Sequence, residues 1–225
     1  MKYKAWVLFL ALFLFAGCKG VYSPGEEKDE TEIPPFEPSS EVFEESINET
    51  GESITRLYVK DNKYWTKNGF TLWMVWGNEE TGTFKGREVT ISKSRGQEWA
   101  GFGLIICHGT REIEDVGKVE TMLTLMINVR GEYTLGKVIN GTYESLIWWT
   151  ASPQILKGYG APNKIKIIKE GEALKIFING AEVLNFLDDT EPKHTGGRHG
   201  YVAVVSPLDR FDLGDEVDIY FTERK

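Results

Sequence analysis

Short runs of alternating apolar and polar residues, separated by glycine and asparagine, dominate the chain from Ser53 onward. The run Glu120–Val129 is the clearest case, because apolar residues recur at every second position from Leu123 to its end. Successive side chains of a β-strand point to opposite faces, so this spacing places the apolar residues on one buried face. Almost no stretch shows the 3.6-residue period of an amphipathic helix. The sequence therefore predicts an all-β domain.

Eleven segments have the length and composition of strands, and turn-forming residues separate most of them. Asn179-Gly180 supplies the two positive-φ residues of a type I′ turn, which predicts a hairpin around it. Gly131, Asn140-Gly141 and Glu170-Gly171 mark further tight connections. Many short strands at this spacing predict a sandwich or barrel of antiparallel strands. The predicted strands are Phe70–Trp76, Glu88–Ser92, Phe102–His108, Glu120–Val129, Tyr133–Ile139, Tyr143–Trp149, Lys164–Lys169, Leu174–Ile178, Ala181–Phe186, Gly200–Val205 and Val217–Phe221.

The segment before these strands is acidic and contains four prolines. Residues 19–52 hold eleven acids and two lysines, a net charge of −9, whereas the whole chain carries −8. This composition offers too little apolar surface to fold. We therefore expect residues 18–52 to form a disordered acidic tether and residues 53–225 to form one β-sandwich domain. The near-neutral domain lacks the basic patch that nucleic-acid binding requires, so no nucleic-acid partner is expected.

Residues 1–17 have the order of a signal peptide, with lysines before a short apolar run. The run is about a dozen residues long, whereas a membrane-spanning helix needs about 20. Phe15-Ala16-Gly17-Cys18 resembles the lipobox of bacterial lipoproteins, with Phe15 where leucine is usual. The resemblance implies cleavage before Cys18, acylation of that residue with fatty acid such as palmitate, and a lipid anchor in the membrane of the cell envelope. The alternative is an ordinary signal peptide in which Cys18 has no such role.

The chain contains two cysteines, Cys18 and Cys107. If the first is acylated, no intramolecular disulfide remains, and the domain depends on an apolar core for its stability. Cys107 is expected to be a small buried hydrophobic residue. The side chain of its neighbour His108 points to the opposite face of the strand, so the two cannot act as nucleophile and base unless a bulge intervenes.

The second half of the domain has a recognisable order of motifs. It contains Gly141-Thr142-Tyr143, then Ile147-Trp148-Trp149, an Asn-led strand from Asn163, a strand ending in Asn179-Gly180, and Gly197-Arg198-His199-Gly200. This order resembles concanavalin A-like lectin and glucanase domains, including laminin G-like modules, over roughly Tyr64–Glu223. The resemblance implies an antiparallel jelly-roll β-sandwich of two curved sheets.

Catalytic domains similar to this fold carry paired carboxylates on one strand in the order Glu-x-Asp-x-x-Glu. Glycoside hydrolysis needs two carboxyl groups about 5 to 9.5 Å apart. The nearest match begins at Glu216 and Asp218, but its last acid, Glu223, comes two residues too late and falls on the opposite face. We expect these acids to lie on the polar face of an amphipathic strand, and we predict no catalytic residue. The acids of residues 112–115 are expected to be solvated in a loop.

His194, His199, Asp188 and Asp189 lie close together in sequence, which raises the alternative of a metal site. Their spacing is not that of a compact ligand set. The sequence also contains no Gly-rich phosphate loop. We therefore predict neither a metal nor a cofactor, and leave calcium at either aspartate as an open alternative.

Aromatic residues are the unusual resource of the domain, which contains Trp65, Trp73, Trp76, Trp99, Trp148 and Trp149. Planar rings stack on the apolar faces of sugars and also anchor protein interfaces. We expect Trp73 and one of Trp148 and Trp149 to lie in the core, since neighbours on a strand point to opposite faces. Trp149, Trp99 and Tyr159 in the long connection 151–162 are the candidate ligand-binding residues.

Together these features predict a noncatalytic binding module that is anchored to the membrane and takes a glycan as its ligand. Two alternatives remain open. The first is a glycoside-active enzyme of the concanavalin A-like fold, a glycoside hydrolase with an unrecognised carboxylate pair. The second is an envelope lipoprotein that binds an envelope or host protein or has a structural role, on the periplasmic or the outer surface.

Overall fold

The computed structural model describes residues 43–59, 70–76, 84–189, 191–194, 196–205 and 217–224. These residues form thirteen β-strands, and none of them lies in a helix. The strands are β1 (Phe43–Ile47), β2 (Ser53–Val59), β3 (Phe70–Trp76), β4 (Gly86–Arg95), β5 (Phe102–Ile113), β6 (Gly117–Ile127), β7 (Glu132–Ile139), β8 (Thr142–Ala151), β9 (Asn163–Glu170), β10 (Ala173–Ile178), β11 (Ala181–Leu187), β12 (Arg198–Val205) and β13 (Val217–Glu223).

The strands form two sheets. A seven-stranded sheet has the order β1-β2-β13-β4-β9-β10-β11, and a six-stranded sheet has the order β3-β12-β5-β6-β7-β8. Every neighbouring pair is antiparallel. All eleven predicted strands are present, most of them with shifted ends. The predicted antiparallel β-sandwich is therefore confirmed.

The two asparagine-glycine hairpins form as the sequence predicts. Between β10 and β11, Asn179 and Gly180 have φ angles of 51° and 87°. Between β7 and β8, Asn140 and Gly141 have φ angles of 45° and 80°. Positive φ at both central residues gives a turn whose twist matches that of the flanking strands. Local sequence thus sets the register of both hairpins.

The main core lies between the two sheets. Leu123 and Leu125 of β6 and Ile176 of β10 are 0% exposed and belong to one apolar cluster that spans both sheets. Burying a side chain of this kind contributes about 1.5–3 kcal/mol. Tyr201 of β12 stacks on Phe221 of β13, with the ring centroids 4.0 Å apart, and so joins the two layers. The alternation in the sequence therefore places its apolar residues in the core as predicted.

Strand β1 lies inside the segment that was expected to be a disordered tether. It pairs with β2, and the Asn48 side chain closes the turn between them by accepting hydrogen bonds from the backbone N–H groups of Thr50 and Glu52 at 3.1 and 2.8 Å. The folded part therefore includes Phe43, and the expected boundary at Ser53 is wrong by one strand. The composition of this segment does not indicate β1, because an edge strand is held by backbone pairing and buries few of its own side chains.

Several predictions fall on residues outside the described part of the chain. The signal peptide, the lipid attachment site Cys18 and most of the acidic tether belong to residues 1–42, and Trp65 belongs to residues 60–69. They stay predictions. Within the described ranges, no helix has the length and apolar character needed to cross a membrane.

Candidate binding face and rim

A second apolar cluster covers the face of the six-stranded sheet that points away from the main core, here called the outer face. Side chains alternate along a strand, so residues between those of the main core lie on this face. An antiparallel sheet with one solvated side carries polar residues there, whereas this sheet also buries apolar residues on its outer face. The outer-face cluster consists of the buried residues Trp73, Val75, Ile105, Met122, Met126, Val138 and Val202, with the partly buried Tyr143, Trp149 and Val204 packed against it.

The tryptophans lie differently from the expectation. Trp73 is buried, as predicted, but in the outer-face cluster rather than between the sheets. Trp148 and Trp149 form a bulge in β8, where the two of them stand opposite the single residue Thr134. Trp149 is half-buried against the outer-face cluster, and Trp148 is 74% exposed. Neither tryptophan lies in the main core. The expectation that one of the two lies in the core is therefore wrong, because the bulge interrupts the alternation of side chains along β8.

The three candidate ligand-binding residues meet at one loop, residues 96–101, here called the rim loop. Trp99 lies in this loop and is 43% exposed. Tyr159 is 48% exposed, and its hydroxyl donates a hydrogen bond to the carbonyl oxygen of Gly96, the first residue of the loop. The Trp149 ring packs at the other end of the loop, where a Cβ added to Gly101 would lie 3.0 Å from the ring. Folding therefore brings together residues from a strand and two separate loops.

A buried lysine holds the rim loop from below. Lys93 of β4 is 1% exposed, and its Nζ donates to the carbonyl oxygens of Gln97 at 2.6 Å and Ala100 at 3.2 Å. Burial lowers the pKa of Lys93 to about 7, because the charged ammonium is poorly solvated there. The two carbonyls stand on either side of Trp99 in sequence. Sequence reasoning missed this lysine, although it follows two core residues of β4 at period two.

Three polar side chains, one each from β6, β5 and β12, form a row of hydrogen bonds on the outer face. His108 Nε2 lies 2.9 Å from Glu120 Oε1, and Arg198 Nη2 lies 3.0 Å from His108 Nδ1. A guanidinium only donates, so Nδ1 accepts, and Nε2 carries the proton that it donates to the carboxylate. His108 and Glu120 line a small cleft together with Trp73 and Met122 of the outer-face cluster. The cleft thus combines apolar walls with one partly exposed carboxylate.

The neighbours Cys107 and His108 face different sides of the six-stranded sheet. The register of β5 against β6 shifts between Ile106 and Gly109, and Cys107 has a φ of 55°. Cys107 is buried in the main core, whereas His108 lines the outer cleft. Burial raises the pKa of Cys107 to about 12, so the thiol stays protonated near neutral pH. The prediction that Cys107 is a small buried hydrophobic residue is confirmed.

The acids of β13 are paired with arginines and do not share a face. Asp218 accepts a hydrogen bond from Arg56 Nε at 2.8 Å on the outside of the seven-stranded sheet. Burial raises the pKa of Asp218, but hydrogen bonds from its neighbours, Arg56 first, outweigh this and hold the pKa below its usual value. Glu223 instead forms an ion pair with Arg87 Nη2 at 2.7 Å. The predicted separation of these two acids is confirmed, and Glu216 lies outside the described residues.

The aspartate and histidine candidates for a metal site fasten a loop instead. Asp188 Oδ2 accepts a hydrogen bond from the backbone N–H of His194 at 2.7 Å and lies 3.2 Å from its ring Nδ1. The ring Nε2 lies 2.8 Å from Thr121 Oγ1 of β6, and all three residues are buried. Burial lowers the pKa of His199 to about 4. No group of three or more ligand residues suited to a metal ion occurs in the described ranges. The acids of residues 112–115 are exposed, as expected, but Glu112 lies in β5 and not in a loop.

Comparison with known proteins identifies the fold. No protein-family model matches the chain, and no curated protein is similar to it in sequence. A glycoside hydrolase family 16 endo-glucanase from Bacteroides ovatus, solved with G4G3G-2F-DNP, has a TM-score of 0.58 at 9% identity, over 82% of this chain and 85% of that chain. A GH16 protein of the mixed linkage glucan PUL of Bacteroides ovatus, solved with the product G4G4G3G, has a TM-score of 0.52 at 10% identity over the same shares. The carbohydrate binding module CBM66 from Bacillus subtilis has a TM-score of 0.48 at 12% identity, over 78% of this chain and 88% of that chain. At such identities the first two structures show the fold, and the predicted jelly-roll β-sandwich is confirmed.

Proposed function

We propose that the domain is a noncatalytic glycan-binding module, which holds a carbohydrate chain on the outer face of the six-stranded sheet and against the rim loop. The observation that carries the proposal is the meeting of Trp99, Trp149 and Tyr159 at one loop beside an apolar face. A sugar ring presents apolar C–H groups on its faces and hydroxyls at its edge. Aromatic rings with nearby polar groups suit both features.

The positions of the acids favour binding over hydrolysis. Hydrolysis of a glycosidic bond uses two carboxyl groups about 5 to 9.5 Å apart, one on each side of the bond. Within the described lining of the cleft, Glu120 is the one carboxylate, and one of its oxygens lies 2.9 Å from His108 Nε2. Asp218 and Glu223 belong to the seven-stranded sheet and are paired with arginines.

The ligand class to test first follows from the likeness to solved structures. Two of them are GH16 proteins. One is called an endo-glucanase and was solved with G4G3G-2F-DNP, and the other belongs to a mixed linkage glucan PUL and was solved with the product G4G4G3G. Their shared fold makes glucans the first candidates for this chain. The same likeness favours a second candidate function, a glycoside-active enzyme, which the experiment has to separate from binding.

A glycan array probed with the chain carrying Cys18→Ser tests the proposal. We expect retention of a neutral glycan, and a loss of affinity of about tenfold in Trp149→Ala and in Tyr159→Ala, because central aromatic contacts carry much of a binding free energy. The matched control is Trp148→Ala, which removes the neighbouring, 74% exposed tryptophan. We expect this control to bind like the parent chain. An array without any retained glycan would contradict the proposal and favour a protein-binding or structural role.

Release of reducing sugar from the retained glycan is measured in parallel. We expect none. Release that disappears in Glu216→Gln or Glu120→Gln would replace the binding proposal with the enzymatic one.

We also propose that Cys18 carries the lipid that anchors the chain to the cell envelope, on the strength of its lipobox-like sequence. Labelling with a fatty-acid analogue in a bacterial host should mark the parent chain and fail in Cys18→Ser. The chain offers a matched control in its other cysteine, since Cys107 is buried in the core. Cys107→Ala should keep the label. Equal labelling of the parent chain and Cys18→Ser would refute the anchor.

A further inference from the structure

The ring of Tyr143 lies across the bare backbone of Gly136 on the outer face. A Cβ added to Gly136 would lie 2.2 Å from Tyr143 Cε2 and 2.6 Å from the hydroxyl oxygen of that residue. The hydroxyl lies 3.3 Å from Thr134 Oγ1, which is long for a hydrogen bond between hydroxyls. A glycine inside a strand often marks a place where another group approaches the backbone closely. Here that group is the protein's own aromatic ring.

Two buried hydroxyls stand on either side of this glycine. Gly136 pairs in register with Thr124 of β6 and with Ser145 of β8, so all three share the outer face. Among the described residues, the buried side-chain oxygens of Thr124 and Ser145 have no hydrogen-bond partner, and the same holds for Trp73 Nε1 on this face. A buried polar group without a partner destabilises the protein. Such groups on a candidate binding face are explained if a ligand supplies the partners.

We propose that Gly136, Thr124 and Ser145 form the floor of a subsite for one sugar ring, and that Tyr143 occupies this subsite in the unbound protein. The inference rests on the proposed function and deepens it. The two hydroxyl-bearing strands are two strand spacings apart, about 10 Å, which leaves one ring with its hydroxyls between them. A bound sugar would displace the tyrosine ring, contact the glycine backbone and satisfy both hydroxyls.

The subsite selects a ring without charge. A charged sugar would lose its hydration there without gaining a counter-charge, which is costly. The cross-strand row that runs through Gly136 consists of uncharged residues only. Its members are Val75, Gly200, Ile105, Thr124, Gly136 and Ser145.

Removing the tyrosine ring should therefore tighten binding. A site that is open in only a fraction of molecules has an apparent affinity reduced by that fraction. With an open state populated at 10% or less, Tyr143→Ala should bind a neutral glycan roughly tenfold more tightly or better. Tyr143→Phe is the matched control, since it keeps the ring over the glycine and should bind like the parent chain.

A second variant tests the role of the two hydroxyls through an effect that general destabilisation of the domain would not produce. Thr124→Val keeps the shape of the side chain and removes the unpaired oxygen. The unbound protein should become more resistant to urea, while affinity for the glycan should fall roughly fivefold because one hydrogen bond to the sugar is lost. Lower stability together with unchanged affinity would overturn the role of this hydroxyl.

The Tyr143 ring, which covers the subsite in the unbound protein, is here called the lid. The results that test the lid differ from those that test the proposed function. Isothermal titration of the array-selected glycan against the parent chain and Tyr143→Ala decides between them. Binding by the parent chain with equal or weaker binding by Tyr143→Ala overturns the lid and leaves the proposed function standing. Binding by both proteins, roughly tenfold or more tighter in Tyr143→Ala, supports the lid, and binding by neither contradicts both.

Discussion

Replacement of Lys93 by methionine should remove a pH dependence from the stability of the domain. Methionine has a similar length and flexibility, so it can fill the space beneath the rim loop. In the folded protein Lys93 is 1% exposed and burial lowers its pKa to about 7, whereas the ordinary value is 10.5. The unfolded chain, with the ordinary pKa, binds more protons than the folded protein between these two values. The free energy of unfolding therefore rises as pH increases through this window. The contribution of Lys93 is lost again as pH falls from 10.5 to 7.

The size of the effect follows from the two pKa values. A difference of one pKa unit corresponds to about 1.4 kcal/mol. From pH 7 to pH 8.5 this lysine should contribute a gain in unfolding free energy of about 1.5 kcal/mol, since the folded-state group is already half-titrated at the lower limit. The range stops at 8.5 because burial raises the pKa of Cys107 from 9.0 to about 12, which lowers stability at higher pH.

Urea unfolding followed by tryptophan fluorescence at several pH values measures the effect. The parent chain should gain stability over this range, and Lys93→Met should gain about 1.5 kcal/mol less. Lys118→Met is the matched control, because Lys118 is an exposed lysine of β6 and its removal should leave the pH profile unchanged. Parallel profiles for the parent chain and Lys93→Met would refute the assignment of a buried amine beneath the rim loop.

Three further predictions concern stability. Burial holds the pKa of His199 at about 4 against an ordinary 6.5, so stability should fall as pH drops from 6.5 to 4, and His199→Gln should show a smaller fall in urea unfolding. An equal fall in both proteins would contradict this. Gly180 has a φ of 87°, and Gly180→Ala should lower the unfolding free energy by about 1–2 kcal/mol, which thermal unfolding checks. Leu125 is 0% exposed, and Leu125→Ala should cost about 2–5 kcal/mol by urea unfolding, whereas a loss near zero would argue against its place in the core.

Local pattern was sufficient for much of the fold. Alternation along β6 identified its buried face, because the pleat of a strand fixes which side chains point the same way. Asn179-Gly180 identified a hairpin, because positive φ at two successive residues is a local requirement. Cys107 was expected in the core and lies there. These predictions succeed since each depends on a few neighbouring residues.

The candidate site depended on contacts between distant segments. Trp99, Trp149 and Tyr159 were singled out one by one, and only the tertiary structure brings them to the rim loop. The bulge that separates Trp148 from Trp149 arises from the pairing of β8 with β7 and breaks the alternation on which their assignment rested.

Antiparallel strands, tight turns and an apolar interior could be predicted from the amino-acid sequence of this chain. Which strands lie side by side could not, and so neither the contact of Tyr143 with Gly136 nor the burial of Lys93 under the rim loop could be foreseen. Strand periodicity is a property of neighbouring residues. The register between strands, in contrast, is set by packing and hydrogen bonds over the whole domain.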